Sequence, residues 1–158
     1  MALHPAPYVR QAGQDWLLSC ADTPAGIRAL WDADAGDFPN GGHWIVGETS
    51  LARTMEAAKS IPAQQRGPVL ADCHQGIAWW LLPPTLADEL DDVHALTVHP
   101  RGWVLRCPPV LHPVRGRVWI ERPDGSGRLT DPVLLGAALS PGGRPDFLRR
   151  HADDSHLG

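Results

Sequence analysis

The sequence predicts an α+β protein with a mixed, largely antiparallel central sheet and flanking helices. Three observations lead there. Strand-like apolar runs and helical periods follow one another irregularly, without the strand–helix alternation of a parallel fold. The segment GPVLADCHQGIAWWLLPP (67–84) reads as two strands around a tight turn at DCHQG, which makes at least one pair antiparallel. The second of these strands, IAWWLLP, is apolar on both faces, as a central strand covered on each side would be.

Taken in order, residues 1–13 read as a flexible N-terminal arm, with Pro5, Pro7 and Gly13 and no periodicity. QDWLLSC (14–20) reads as a strand. Thr23-Pro24 then opens the helix PAGIRALWDAD, with a cap residue before a first-turn proline and with Ile27, Leu30 and Trp31 on one face. GDFPNGG (36–42) is a turn by composition. HWIVGE (43–48) is a strand, and SLARTMEAAKS (50–60) a short helix whose Leu51, Met55 and Ala58 share a face. After the hairpin, Thr85 with Asp88 resembles a capping box at the start of an acidic helix, LADELDDVHAL. LTVHPRGWVLRCPP is a strand interrupted at Pro100, GRVWIER (116–122) a further strand and PDGSG (123–127) a turn. Asp131-Pro132 starts a last helix, PVLLGAAL. Residues 14–150 are expected to form one domain, and 151–158 a mobile tail.

Composition narrows the classes. A chain of 158 residues with 43% hydrophobic and 20% charged content is of globular type. No apolar run approaches the ~20 residues of a membrane span, and MALHPAPYVR has neither the charged nor the apolar region of a secretory signal. A cytoplasmic protein with no membrane partner is expected. Cys20, Cys73 and Cys107 are odd in number and widely spaced, which fits reduced, interior thiols better than a disulfide framework. The cationic side chains are thirteen arginines and a single lysine, a bias that follows GC-rich codon usage.

Charge is unevenly spread. Residues 1–98 carry a net −7 and residues 99–150 a net +5, within an overall −4. The acidic total argues against avid nonspecific DNA binding. The basic part would suit an anionic ligand, or its arginines would simply solvate outer strand faces. Within it Trp103 and Trp119 interleave with Arg101, Arg106, Arg115 and Arg117. That arrangement reads either as a stacking platform for single-stranded nucleic acid or as half-buried sheet. Asp72, Cys73 and His74 are adjacent at the hairpin turn. With His99 or His112 they would offer a transition-metal site, or else a polar turn with a solvated imidazole. Cys73 or Cys107 paired with a histidine base would be a nucleophile, though nothing in the sequence brings such a pair together.

Residues 100–123, PRGWVLRCPPVLHPVRGRVWIERP, set Arg101, Gly102, Pro108, Pro109, His112, Pro113, Gly116 and Trp119 in a recognisable spacing. Together with the order of elements before it, this segment resembles the N-terminal domains of bifunctional DNA primase–polymerases, of the archaeo-eukaryotic primase type, common in actinobacterial and mobile-element proteins. In that family a GxxHxxF-like strand precedes a segment RGxGxYVxAPPSxHPxGxxYxW, and GIAWWLLPP holds the first of these places here. Residues 43–99 match only in order and rough length, and the first 35 residues carry no motif of the family. The resemblance implies that the Pro-Pro strand end lies beside a nucleotide pocket, with Arg106 and Cys107 facing a groove and His112 among the ligand-binding residues.

The resemblance also implies what this chain lacks. Polymerase chemistry in the family rests on acidic residues that hold two divalent metals across the triphosphate. The expected Asp-x-Asp at the end of the second strand is replaced by IVGETS, with Glu48 alone. Trp79 stands where a phosphate-contacting histidine is expected. LTVHPRG has no third acid; the nearest, Asp91 and Asp92, belong to the acidic helix. One carboxylate cannot organise two magnesium ions. The expectation is therefore a degenerate member with no catalytic residues, metal or other cofactor, in which Trp79 and Trp80 fill the former pocket. It would bind single-stranded nucleic acid or a nucleotide through 99–122, or alternatively serve as a protein-interaction or regulatory subunit. An enzyme of unrelated chemistry would be betrayed by a pocket holding a perturbed His or Cys.

Overall fold

The computed structural model describes residues 7–140 and the side chains of residues 10–140. The chain runs α1 (Pro7–Ser19), α2 (Pro24–Leu30), β1 (Gly36–Pro39), β2 (Ile45–Ser50), α3 (Leu51–Ser60), β3 (Val69–Asp72), β4 (Ile77–Leu82), β5 (Thr97–Val98), β6 (Val104–Cys107), β7 (Arg117–Glu121) and α4 (Pro132–Leu139). A five-stranded sheet has the order β5-β2-β4-β3-β7, and β1 with β6 forms a separate two-stranded ladder. Every strand pair is antiparallel. The α+β class is as the sequence predicts, and β4 is the central strand.

Strand alternation divides the core in two. Val46, Leu81, Trp79, Leu70 and Trp119 point to one face of the sheet, where α1, α2 and the β1–β6 ladder cover them with Leu17, Ile27, Phe38 and Leu105. Val69, Ala78, Trp80 and Leu82 point to the other face, against Ala57 and Ile61, Leu135 of α4, and Leu90, Val93 and Leu96 of the long connection. Trp79 and Trp80 therefore lie on opposite sides of β4 and do not fill one pocket together. Trp80 is fully buried and donates its indole N–H to the Thr54 hydroxyl at 3.0 Å.

Several local expectations are corrected. Residues 7–19 form a helix, where an arm to residue 13 and a strand over 14–20 are expected. Trp16-Leu17-Leu18 is too short an apolar run to fix a period, and the helix extends upstream, where burial of Gly13, Leu17 and Cys20 follows helical spacing. Gly13 is a packing position: a Cβ there would lie 2.0 Å from the Pro123 carbonyl oxygen, so only glycine lets α1 sit against the 123–125 turn. Residues 1–6 and the tail at 151–158 lie outside the described residues.

Residues 36–39 are a strand rather than a turn. Phe38 is buried inward, Asp37 faces out opposite Arg106, and Pro39 sits at the strand's end, where a missing donor is tolerated. In α2 Ile27 and the capping Trp31 are buried but Leu30 is half exposed. In α3 the inner face is Thr54 and Ala57, with Leu51 and Ala58 beside it, while Met55 points to solvent. The helix itself is as expected, capped by Ser50, whose hydroxyl accepts from the Arg53 N–H.

The acidic helix does not form. Residues 83–96 are a run of three-residue turns, closed by N–H to carbonyl bonds from Asp91 to Asp88, Val93 to Leu90 and Leu96 to Val93. Leu90, Val93 and Leu96 are buried with a period of three, not 3.6. A helix would also set Asp88, Glu89, Asp91 and Asp92 against one another at three- and four-residue spacings. The interrupted strand around Pro100 is split as the sequence predicts, but its halves, β5 and β6, join different sheets. The turn at 123–127 and the Asp131 cap on α4 follow the sequence, with Asp131 accepting from the Val133 and Leu134 N–H groups.

Candidate functional site

The Pro-Pro strand end is an anchor rather than a groove edge. Trp31 Nε1 donates to the Cys107 carbonyl at 2.9 Å, Trp119 Nε1 to the Pro108 carbonyl at 3.1 Å, and the Val110 N–H to Gln14 Oε1 at 3.0 Å. Residues 107–110 are thus tied to α1, to the end of α2 and to β7. Cys107 is fully buried, with its thiol pushed well above the usual cysteine value by burial, and Arg106 points the opposite way to solvent. The two do not face one groove, because adjacent strand residues alternate.

Glu48 and Trp79, read in the sequence as pocket positions, are direct cross-strand partners of β2 and β4. The Glu48 Oε1 atom accepts from Trp79 Nε1 and meets His99 Nε2, both at 2.9 Å. His99 in turn stacks on Trp103, with ring centroids 3.7 Å apart and planes 3° from parallel. On the other side of Trp79, the Arg117 guanidinium lies 4.5 Å over the ring. Such a cation–π contact contributes about 0.5–2 kcal/mol. Arg117 also donates to the Arg106 carbonyl at 2.6 Å and pairs with the buried Asp72 at 3.6 Å. Asp72 Oδ1 accepts from the His74 and Gln75 N–H groups, so its charge is compensated on both oxygens. A continuous network therefore runs Trp103–His99–Glu48–Trp79–Arg117–Asp72 across the sheet.

Arg106, Arg115 and Arg101 are held as well. Arg106 stands 3.4 Å from Asp34 and 3.4 Å from Asp37, and Arg115 stands 3.4 Å from Asp34. Asp34 is held below the usual carboxylate range, first by the Ala35 N–H and then by Arg115 and Arg106. Arg101 donates to the Gly41 and Pro84 carbonyls, clamping two loops. Trp119 is buried, while His112 is exposed. The structure thus brings Arg106, Arg115 and Arg117 together with three aspartates from the acidic part of the chain. Arg101 is placed elsewhere, and the expected stacking platform is divided between a buried Trp119 and a half-buried Trp103. Asp37 and Asp72 meet their arginines through strand register, opposite Arg106 and Arg117, which no local motif in the sequence shows.

Cys73 is exposed at the hairpin turn, which corrects the expectation of three interior thiols; Cys20 and Cys107 are buried. Among the described residues no three His, Cys, Asp or Glu side chains form a group able to hold a metal ion. None of the described helices is long and apolar enough to cross a membrane. Three cavities among the described residues lie away from the network. They are about 150 Å³ and 380 Å³ on either side of segment 121–124, and about 750 Å³ between α3, residues 92–95 and the end of α4. No protein-family model, curated protein or solved structure matches the chain.

Proposed function

We propose that the chain is a non-catalytic module on a primase–polymerase-like scaffold, acting in protein interaction or regulation rather than in nucleotidyl transfer. The observation that carries this reading is the commitment of Glu48. Its Oε1 is shared by Trp79 and His99 at 2.9 Å each, and Trp79 is 4% exposed, so a metal ion could take that oxygen only by displacing two hydrogen bonds, and among the described residues no group of three His, Cys, Asp or Glu side chains stands there to hold one. Three of the five arginines of 99–122 support the same reading. A phosphate backbone gains most from cations that give up only mobile counterions. Here Arg106, Arg115 and Arg117 would first have to leave Asp34, Asp37 and Asp72.

Fluorescence anisotropy with labelled single-stranded DNA, at low and moderate salt, tests this. The expected result is no saturable binding at either salt for the intact chain. Salt-dependent binding that is lost in an Arg106→Ala/Arg117→Ala variant shown by circular dichroism to be folded would overturn it, and would assign the 99–122 segment to nucleic-acid binding instead.

A further inference from the structure

We propose that the cavity at the C-terminal end of β7 binds a phosphoryl group, as inorganic phosphate or as a small phosphate monoester. This site is separate from the Glu48 network and does not depend on the function proposed above.

The cavity, about 150 Å³, lies between Trp16 of α1, the 63–68 segment and the 121–128 segment. Three arginines, Arg66, Arg122 and Arg128, and two acids, Glu121 and Asp124, line it. Both acids are already engaged. Glu121 Oε1 stands 3.0 Å from Arg66 Nε, and Asp124 Oδ1 accepts from the Ser126 N–H at 2.9 Å and from the Ser126 hydroxyl at 2.6 Å. Arg66 is held as Glu121's counterion, with its Nη1 donating to the Ala58 and Ile61 carbonyls.

Donors are left over. Arg128 makes one long bond, from Nη1 to the Ala63 carbonyl at 3.4 Å, and Arg122 has no side-chain partner among the described residues. The indole Nε1 of Trp16 lies against Gly127, 3.4 Å from where a Cβ would stand, and has no hydrogen-bond partner among the described residues. Gly127 has φ +77°, so the loop keeps this corner open with the residue best able to adopt that backbone. The neighbouring cavity of about 380 Å³ shares the Glu121–Asp124 wall and adds Arg10, whose Nε is buried without a partner among the described residues.

The Arg122 fork without a partner, the Arg128 fork with one long bond beside Asp124, and an indole N–H from α1 surround a space too small for an ordinary organic ligand, and together they suit a compact anion with several oxygens. A planar carboxylate would satisfy fewer of these donors than a tetrahedral phosphoryl group. The neighbouring cavity gives the organic part of a monoester somewhere to lie.

The Trp16 indole resonance in ¹H–¹⁵N spectra reports the site directly. At fixed ionic strength the chain is titrated with sodium phosphate, ribose 5-phosphate and sodium acetate. Saturable shifts with both phosphates, at least 10-fold weaker in Arg122→Ala/Arg128→Ala and unchanged in Arg53→Ala on α3, are expected. Tighter binding of ribose 5-phosphate than of phosphate would identify the ligand as a monoester, and equal binding would identify the free ion. An acetate response equal to that of phosphate would overturn the proposal. So would the absence of saturable shifts with phosphate, or wild-type affinity in the double variant.

Discussion

Three cysteines that look alike in the sequence differ sharply in chemistry. Burial pushes the Cys20 thiol up to about 11, and Cys107, walled in by the core, is likewise raised well above its usual value despite the Arg117 charge nearby. Cys73 sits in the open at the hairpin turn. The thiolate is the reactive form, so at pH 8 the two buried thiols are both protonated and shielded. A colorimetric disulfide reagent should therefore titrate one fast equivalent in the native chain and none in Cys73→Ser; two fast equivalents in the native chain would contradict this. The same limit applies to the candidate site. Glu48 and Trp79 stood out in the sequence only through the family resemblance, and nothing there marked them as each other's hydrogen-bond partners. That pairing comes from the register of β2 on β4, and it draws in His99, which directly follows β5.

Among the elements, those whose ends are marked by local chemistry were legible. The Asp131-Pro132 start of α4, the β3–β4 hairpin and the 123–127 turn depend on neighbouring residues alone, and the sequence predicts them in place, whereas the expected capping box of Thr85 and Asp88 starts no helix. Elements set by distant packing were not. Residues 14–20 become helix because α1 must lay Gly13 on the 123–125 turn and Leu17 on the sheet, and 36–39 become strand because β6 supplies the ladder. The connection into β7 shows how tightly such a turn is specified. Arg115 and Gly116 both have positive φ, at 52° and 82°, and Val114 and Arg117 exchange hydrogen bonds across them. These are the conformations of a two-residue hairpin turn whose twist matches its strands. A Cβ on Gly116 would also come within 2.0 Å of the His74 ring. Gly116→Ala is expected to destabilise the chain by more than about 1 kcal/mol, read as a lowered urea midpoint. An unchanged midpoint would mean that the turn can relax.

Across the whole molecule, charge segregation in the sequence becomes charge pairing in space. The acidic part supplies Asp34, Asp37 and Asp72, and the basic part answers with Arg106, Arg115 and Arg117. Asp34 and Asp124 both titrate below the ordinary aspartate value of 3.8, Asp34 chiefly through the Ala35 N–H and Asp124 chiefly through the Ser126 hydroxyl. A carboxyl group depressed by folding contributes stability above its unfolded value, and loses that contribution as pH falls through the folded one. The contribution of these groups should therefore be intact at neutral pH and fade below about pH 4. Urea unfolding in acid should fall less steeply for Asp34→Asn than for the unaltered chain; equal slopes would remove Asp34 from the account.

The anchoring of 107–110 also sets a schedule. Gln14 waits for a partner 96 residues downstream and Trp31 for one 76 residues downstream. Synthesis proceeds at roughly 5–20 residues per second. For several seconds, then, α1 and α2 exist without the strands they cover, and the sheet face that includes Trp79 and Leu70 cannot close until β6 and β7 have emerged. Contacts so distant in sequence put folding among the slower topologies. The nascent chain thus carries an uncovered tryptophan- and leucine-rich sheet face from the emergence of β4 until β7 has followed, and there its need for protection against aggregation is greatest.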